Sequence, residues 1–211
     1  MAALIHFVFF PSINESYNDP CYLTTEQLDD LRYVIRNVLE IYEDMNVTYW
    51  LDFGTLLGAV RNGDIIRYDH DADISRIVPE GPKYSYGKFI RKLKEREISA
   101  NATVANYKGM IVELHTWDLH EEEFDGKIQI VVKKWLSTWL KNMNSRLDDW
   151  HNMKLVFPLS WLLPTKRMQF VGVNAKIPHN TNAILLNRYA LTYRLNVSFP
   201  YKWKCWIPYL N

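Results

Sequence analysis

The chain has 211 residues, 48% of them apolar, and a formal net charge of +1. That length suits one domain or two small lobes with a sizeable core. No run reaches the ~18 apolar residues of a membrane span, and the near-neutral charge argues against a dedicated nucleic-acid binder.

The start, "MAALIHFVFF", is a short apolar run without a basic lead. Residues 1–23 are therefore set apart as an N-terminal segment: a weak or truncated signal, an anchor remnant or a first strand, which leaves membrane association open. Residues 24–211 form the folded domain. Its charge is uneven: residues 1–126 carry 12 Lys and Arg against 22 Asp and Glu, a balance of −10, whereas residues 127–211 carry 13 against 2, a balance of +11. An acidic half (24–126) and a basic half (127–211) dock and neutralise one another, or present a metal-holding face to a phosphate-binding one. Sequons beginning at Asn14, Asn46, Asn101 and Asn196 favour the secretory pathway or Golgi lumen over the cytoplasm. Cys21 and Cys205 are the two cysteines; two thiols leave pairing and compartment open.

In chain order, "TTEQLDDLRYVIRNVLEIYEDM" is an amphipathic helix opened by a Thr24–Gln27 capping box. "VTYWLD" is a strand, "GTLLGAVRNG" a short helix between glycine turns, and "ADISRIV" a second strand. "YGKFIRKLKERE" is a helix; "ATVANY" and "GMIVELHTW" are strands; Asp125-Gly126 marks a hairpin turn into "KIQIVV". "KKWLSTWLKNM" and "NAILLNRYALTY" have helical spacing, with Pro-punctuated strands and loops between them.

The chemistry concentrates at "RYDHDADI". Side chains at alternate strand positions share a face, so Asp71 and Asp73 point the same way. Carboxylates that close repel one another unless a cation stands among them, and hard Mg²⁺ or Mn²⁺ suits carboxylate oxygens. Glu113 is a lone acid between Val112 and Leu114; if its strand lies beside "ADISRIV", it joins that face. Gly54-Thr55 stands where a strand turns into a helix, a geometry suited to phosphate.

A Gly-Thr turn, then D-x-D, then an acid on a neighbouring strand resembles the nucleotidyltransferase superfamily. "LDFGTLLGAVRNGDIIRYDHDADI" resembles the signature of the LicD/fukutin-related family, and "MIVELHTW", the later "DGK", "FPLSWLLPTKRMQFVGVNAKIP" and "LLNRY" resemble its following blocks. The resemblance implies an α/β fold: a nucleotidyltransferase-like mixed sheet flanked by helices, with a C-terminal helical or irregular lobe. It implies a transferase moving a phospho-alcohol such as phosphocholine or ribitol phosphate. The donor would be CDP-linked and the acceptor a glycan or glycoprotein hydroxyl. Carried over, Asp71, Asp73 and Glu113 are catalytic and hold metal, with Asp69 a further candidate. Gly54, Thr55 and Arg61 meet donor phosphates, and Asp64 ranks behind them. Arg67-Tyr68 replaces the family's Pro-Trp, which loosens that turn and adds Arg67 as a phosphate contact. Arg76 stands where the family has a small or apolar residue. Pointing inward it would displace a metal and leave an inactive relative that binds nucleotide or glycan or partners an active enzyme. In a regular strand it points outward, which favours activity.

Other readings of the same residues are weaker. D-x-D-x-D also opens an EF-hand loop, but Ile74 stands where that loop needs Gly. His115, His120 and Cys205 lack the spacing of a zinc site and read as polar strand and loop residues.

Overall fold

The computed structural model describes residues 20–79, 81, 83–134, 155–194 and 205. The 20-residue helix α1 (Thr25–Asp44) begins at the expected capping box, with Thr24 and Gln27 each bonding the other's backbone N–H. Its apolar stripe, from Leu28 through Leu31, Ile35, Val38 and Tyr42, is buried. Strand β1 (Tyr49–Leu51) leads into α2 (Phe53–Asn62), and β2 (Asp71–Ile77) follows. Then come α3 (Tyr86–Lys94), β3 (Ser99–Ala100), β4 (Val104–Tyr107), the 15-residue β5 (Met110–Phe124) and β6 (Lys127–Lys134).

These strands, with β7 (Val156–Pro158), make a seven-stranded mixed sheet. The order β1-β2-β5-β4-β3 runs across one end, and the far half of β5 pairs with β6, which pairs with β7. Strands β2 and β5 are parallel and the other pairings antiparallel. The parallel pair fixes everything that follows, because its register sets Asp73 beside Glu113 and Ser75 beside His115. Ala72, Ile74, Val112 and Leu114 fill the opposite face, where α1 packs. The sheet and its flanking helices agree with the α/β class that the sequence implied.

The chain turns from β5 to β6 at Asp125-Gly126, with φ of 54° and 73°. Positive φ at both central residues matches the twist of a two-residue hairpin. Two elements differ from expectation. Strand β5 runs past Trp117 to Phe124, because its acidic end finds partners on β6, including an Lys133–Glu122 ion pair of 2.8 Å. Lys133 and Lys134, read as the start of a helix, close β6 instead. The alternation of Ile128, Ile130 and Val132 continues through Lys134, which pairs with Trp117. The rest of that expected helix lies outside the described residues, as do most of residues 1–23 and the sequons at Asn14 and Asn196; Asn46 and Asn101 are exposed.

The C-terminal part holds a short helix α4 (Leu159–Leu162), the hairpin β8 (Lys166–Phe170) and β9 (Val173–Ile177), and helices α5 (Thr181–Arg188) and α6 (Ala190–Arg194). It is tied to the acidic half by opposite charges. Glu43 pairs with Arg167 at 2.6 Å and with Lys176 at 3.5 Å, and Asp52 pairs with Arg188 at 3.4 Å. Cys205 forms a disulfide with Cys21, 184 residues away in sequence.

Candidate active site

The site sits on the sheet face away from α1, at the N-terminal end of α2. Four carboxylates meet there. Asp69 lies against Asp71 and Asp73. Burial, then the charges of Asp71 and Asp73, push Asp69 up to about 8. Asp73 is raised well above the usual carboxylate range by burial first, and then by Asp71, Asp52 and Glu113. Such uncompensated negative charge is what a bound cation would relieve. Glu113 faces the same side with its side chain 46% exposed.

His115 completes the group. Its Nε2 lies 2.9 Å from Asp73 Oδ1 and 3.5 Å from Glu113 Oε2. One ligand atom each from Asp73, Glu113 and His115 lie within 4.8 Å of one another, a donor set that fits a divalent ion. Burial first, and then the Lys134 charge, draw the imidazole down to about 4, so it is neutral at pH 7. The edge of the Phe53 ring, 5.2 Å away between centroids, confines it.

The turn into α2 is built around the same cluster. Gly54 has no room for a side chain, since a β-carbon there would overlap the Asp69 carboxylate. Thr55 Oγ1 accepts the backbone N–H of Asp73 at 2.7 Å, locking the helix to β2. Phe53, with φ of 42°, holds a strained backbone at the turn. Asp52 caps α2 by accepting the Phe53 N–H at 2.9 Å and also accepts the Ser75 hydroxyl at 2.9 Å. Trp117 Nε1 donates in turn to Ser75 Oγ at 2.9 Å.

Two cations border the carboxylates. The Arg188 guanidinium lies over Phe53, Trp117 and Phe157 at 4.6, 4.9 and 5.4 Å, and pairs with the buried Asp52. Lys134 Nζ stands 5.1 Å from the Phe53 ring centroid. It has no hydrogen-bond or ion-pair partner among the described residues, and its nearest charges include Asp52, Asp73 and Glu113. Burial lowers its pKa. Burial, followed by the charges of Asp73, Asp69 and Asp52, raises the pKa of the partly buried Tyr189.

The fold thus brings Asp69, Asp71, Asp73, Glu113, Gly54 and Thr55 together. Arg61 is elsewhere: it lies in the last turn of α2, about 12 Å along the axis from Phe53, and its Nη2 donates to the Thr192 carbonyl. Arg67 is exposed on the turn before Asp69, and its carbonyl accepts the Leu23 N–H. Asp64 forms a two-pronged ion pair with Arg32. Arg76 points to the opposite face, where its Nη1 donates to the Tyr42 hydroxyl at 3.1 Å beneath Tyr84. The sequence reading missed Asp52, His115, Lys134 and Arg188. His115 was within reach of it, being two residues beyond Glu113 and so on the same strand face.

Residues 46–180 match the LicD/FKTN/FKRP nucleotidyltransferase-domain family. The human ribitol 5-phosphate transferase FKRP is 27% identical over 174 residues, covering 81% of this chain and 32% of that protein. The mouse protein of the same name is 27% identical over 172 residues, 80% of this chain and 32% of it. The chain therefore spans about a third of the length of these relatives. An uncharacterised Rickettsia prowazekii protein is 39% identical over 62 residues, covering 25% of this chain and 23% of that one. Among solved structures, the antibiotic-resistance factor ANT(2'')-Ia overlays with a TM-score of 0.45 at 12% identity, over 81% of this chain and 77% of its own. The chain belongs to the LicD/FKTN/FKRP nucleotidyltransferase-domain family.

Proposed function

We propose that the domain transfers a phospho-alcohol, of the phosphocholine or ribitol-phosphate kind, from a CDP-linked donor to a glycan hydroxyl, with Mg²⁺ or Mn²⁺. The observation that carries this reading is the register that sets Glu113 beside Asp73, with Asp71 and Asp69 adjoining, at the N-terminal end of α2. Asp71, Asp73 and Glu113 hold the cation. A cation there would neutralise charge on the donor phosphates and steady the leaving oxygen. The Gly54 and Thr55 N–H groups at the start of α2 donate to a phosphate oxygen. The Lys134 ammonium, which makes no hydrogen bond or ion pair among the described residues, meets another.

The acceptor oxygen attacks the phosphorus of the phospho-alcohol as the P–O bond to CMP breaks. Its proton passes to Glu113, whose half-exposed carboxylate keeps an oxygen toward solvent. CMP leaves with the bonding electron pair. The outward turn of Arg76 favours this reading over an inactive relative. The test is a scan of CDP-linked alcohols with Mg²⁺ or Mn²⁺ and a glycan acceptor, read as CMP release. Release for at least one donor, abolished in Asp71→Asn, supports it. Silence across donors, with nucleotide still bound, favours the inactive binder.

A further inference from the structure

The sequence reading set His115 aside as a polar strand residue. The fold puts its Nε2 inside the carboxylate group, 2.9 Å from Asp73 Oδ1 and 3.5 Å from Glu113 Oε2. These separations are those of neighbouring ligands around one ion. Donor atoms each about 2.1 Å from a metal lie about 3.0 Å apart at a right angle and about 3.4 Å apart in a tetrahedron. The third edge, Asp73 to Glu113, falls within 4.8 Å. All three residues come from the central parallel pair, so backbone hydrogen bonds rather than a loop hold the spacing. Phe53, packed edge-on at 5.2 Å, limits rotation of the ring.

We propose that His115 Nε2 is itself a ligand of the cation held by Asp73 and Glu113, and that this nitrogen makes the site select a first-row transition ion over Mg²⁺. The inference rests on the reading that this cluster holds a divalent cation. Its physical basis is ligand softness. Mg²⁺ takes an all-oxygen shell and gives up water reluctantly, whereas imidazole nitrogen suits Zn²⁺, Fe²⁺ and Ni²⁺. A purely carboxylate D-x-D site lacks that nitrogen and suits Mg²⁺ and Mn²⁺. The alternative role for His115 is an ordinary hydrogen bond to Asp73, which predicts no metal preference.

The experiment uses the full chain stripped of metal, without nucleotide. Calorimetric titration with ZnCl₂ and with MgCl₂ gives two dissociation constants. The expected result is binding at least about tenfold tighter for Zn²⁺. In His115→Gln that ratio falls about tenfold or more while Mg²⁺ affinity changes little. Electron spin-echo modulation of Mn²⁺ bound at the site should show nitrogen-14 coupling in the wild type, a signal that needs no variant to fold. Equal affinity for the two ions, or Mn²⁺ bound without nitrogen coupling, would overturn the proposal. CMP release is read separately. Metal selection without transfer would sink the proposed reaction and leave this inference standing; transfer with no selection would do the reverse.

Discussion

Asp52 and Arg188 offer the sharpest test of how the site is held. Both side chains are removed from water, at 0% and 2% exposure, and their charged atoms lie 3.4 Å apart. Taking two charges out of water costs several kcal/mol each, and their attraction offsets this only while both remain. Removing one partner strands the other, at about 3–5 kcal/mol. Arg188→Met keeps most of the apolar stem packed on Phe53, Trp117 and Phe157 but leaves Asp52 buried without its ion-pair partner. Asp52→Asn keeps an acceptor for the Phe53 N–H, because asparagine is as good a helix cap as aspartate, but strands Arg188. Each single variant should lose about 3 kcal/mol, which for a chain of this length lowers Tm by roughly 6–12 °C. The double variant should lose clearly less than the sum, with a coupling of at least about 2 kcal/mol. Urea unfolding of the four proteins measures this directly. Additive losses would mean that the pair contributes nothing as a pair, and that each residue acts through its other contacts.

Three further outcomes are expected. Mg²⁺ or Mn²⁺ at about a hundred times its dissociation constant should stabilise the wild type by about 2.7 kcal/mol; an equal rise in Tm for the Asp71→Asn, Asp73→Asn double variant would remove the shared site. Without metal, Asp69 at about 8 binds its proton in the folded state before the unfolded chain does, so stability should increase as pH falls from 8 to 6.5, by up to about 1.5 kcal/mol. Below 6.5 His115, held down to about 4, works against this gain, because the unfolded imidazole then binds the proton first. A flat Tm between pH 8 and 6.5 would contradict the crowded carboxylates. Thr55→Val strands the Asp73 amide and should cost about 1–3 kcal/mol in denaturant unfolding, whether or not nucleotide is present; unchanged stability would free that hydroxyl for the donor alone.

The sequence carried the site's two strands because their information is local. Alternation places Asp71 with Asp73, and the apolar neighbours Val112 and Leu114 leave Glu113 facing the other way. The capping box at Thr24 and the Asp125-Gly126 turn are likewise read within a few residues. What escaped depends on long-range packing. Asp52 looks like an ordinary residue before a helix until Arg188, 136 positions on, comes to rest against it. Lys134 was assigned to a helix because the apolar spacing of the following residues outweighed the last step of a strand alternation. The resemblance implied Arg61 as a donor-phosphate contact. It stands seven residues beyond Gly54, about 10 Å along α2, and its guanidinium donates to the Thr192 carbonyl. The alternation that turns Arg76 onto Tyr42 follows from period-two strand geometry, and that much was legible.

The account stands on Glu113 belonging to a working catalytic cluster, and one variant tests that most directly. Glu113→Gln keeps the side-chain volume and removes the charge beside Asp73 and His115. With the donor found in the CDP-alcohol scan and saturating Mn²⁺, CMP release should slow by about two decades or more. Tm without metal should hold or rise slightly, because a repelling carboxylate has gone. Normal turnover with a clearly lowered Tm would contradict the account, since it would make Glu113 a structural ion-pair partner rather than part of the chemistry.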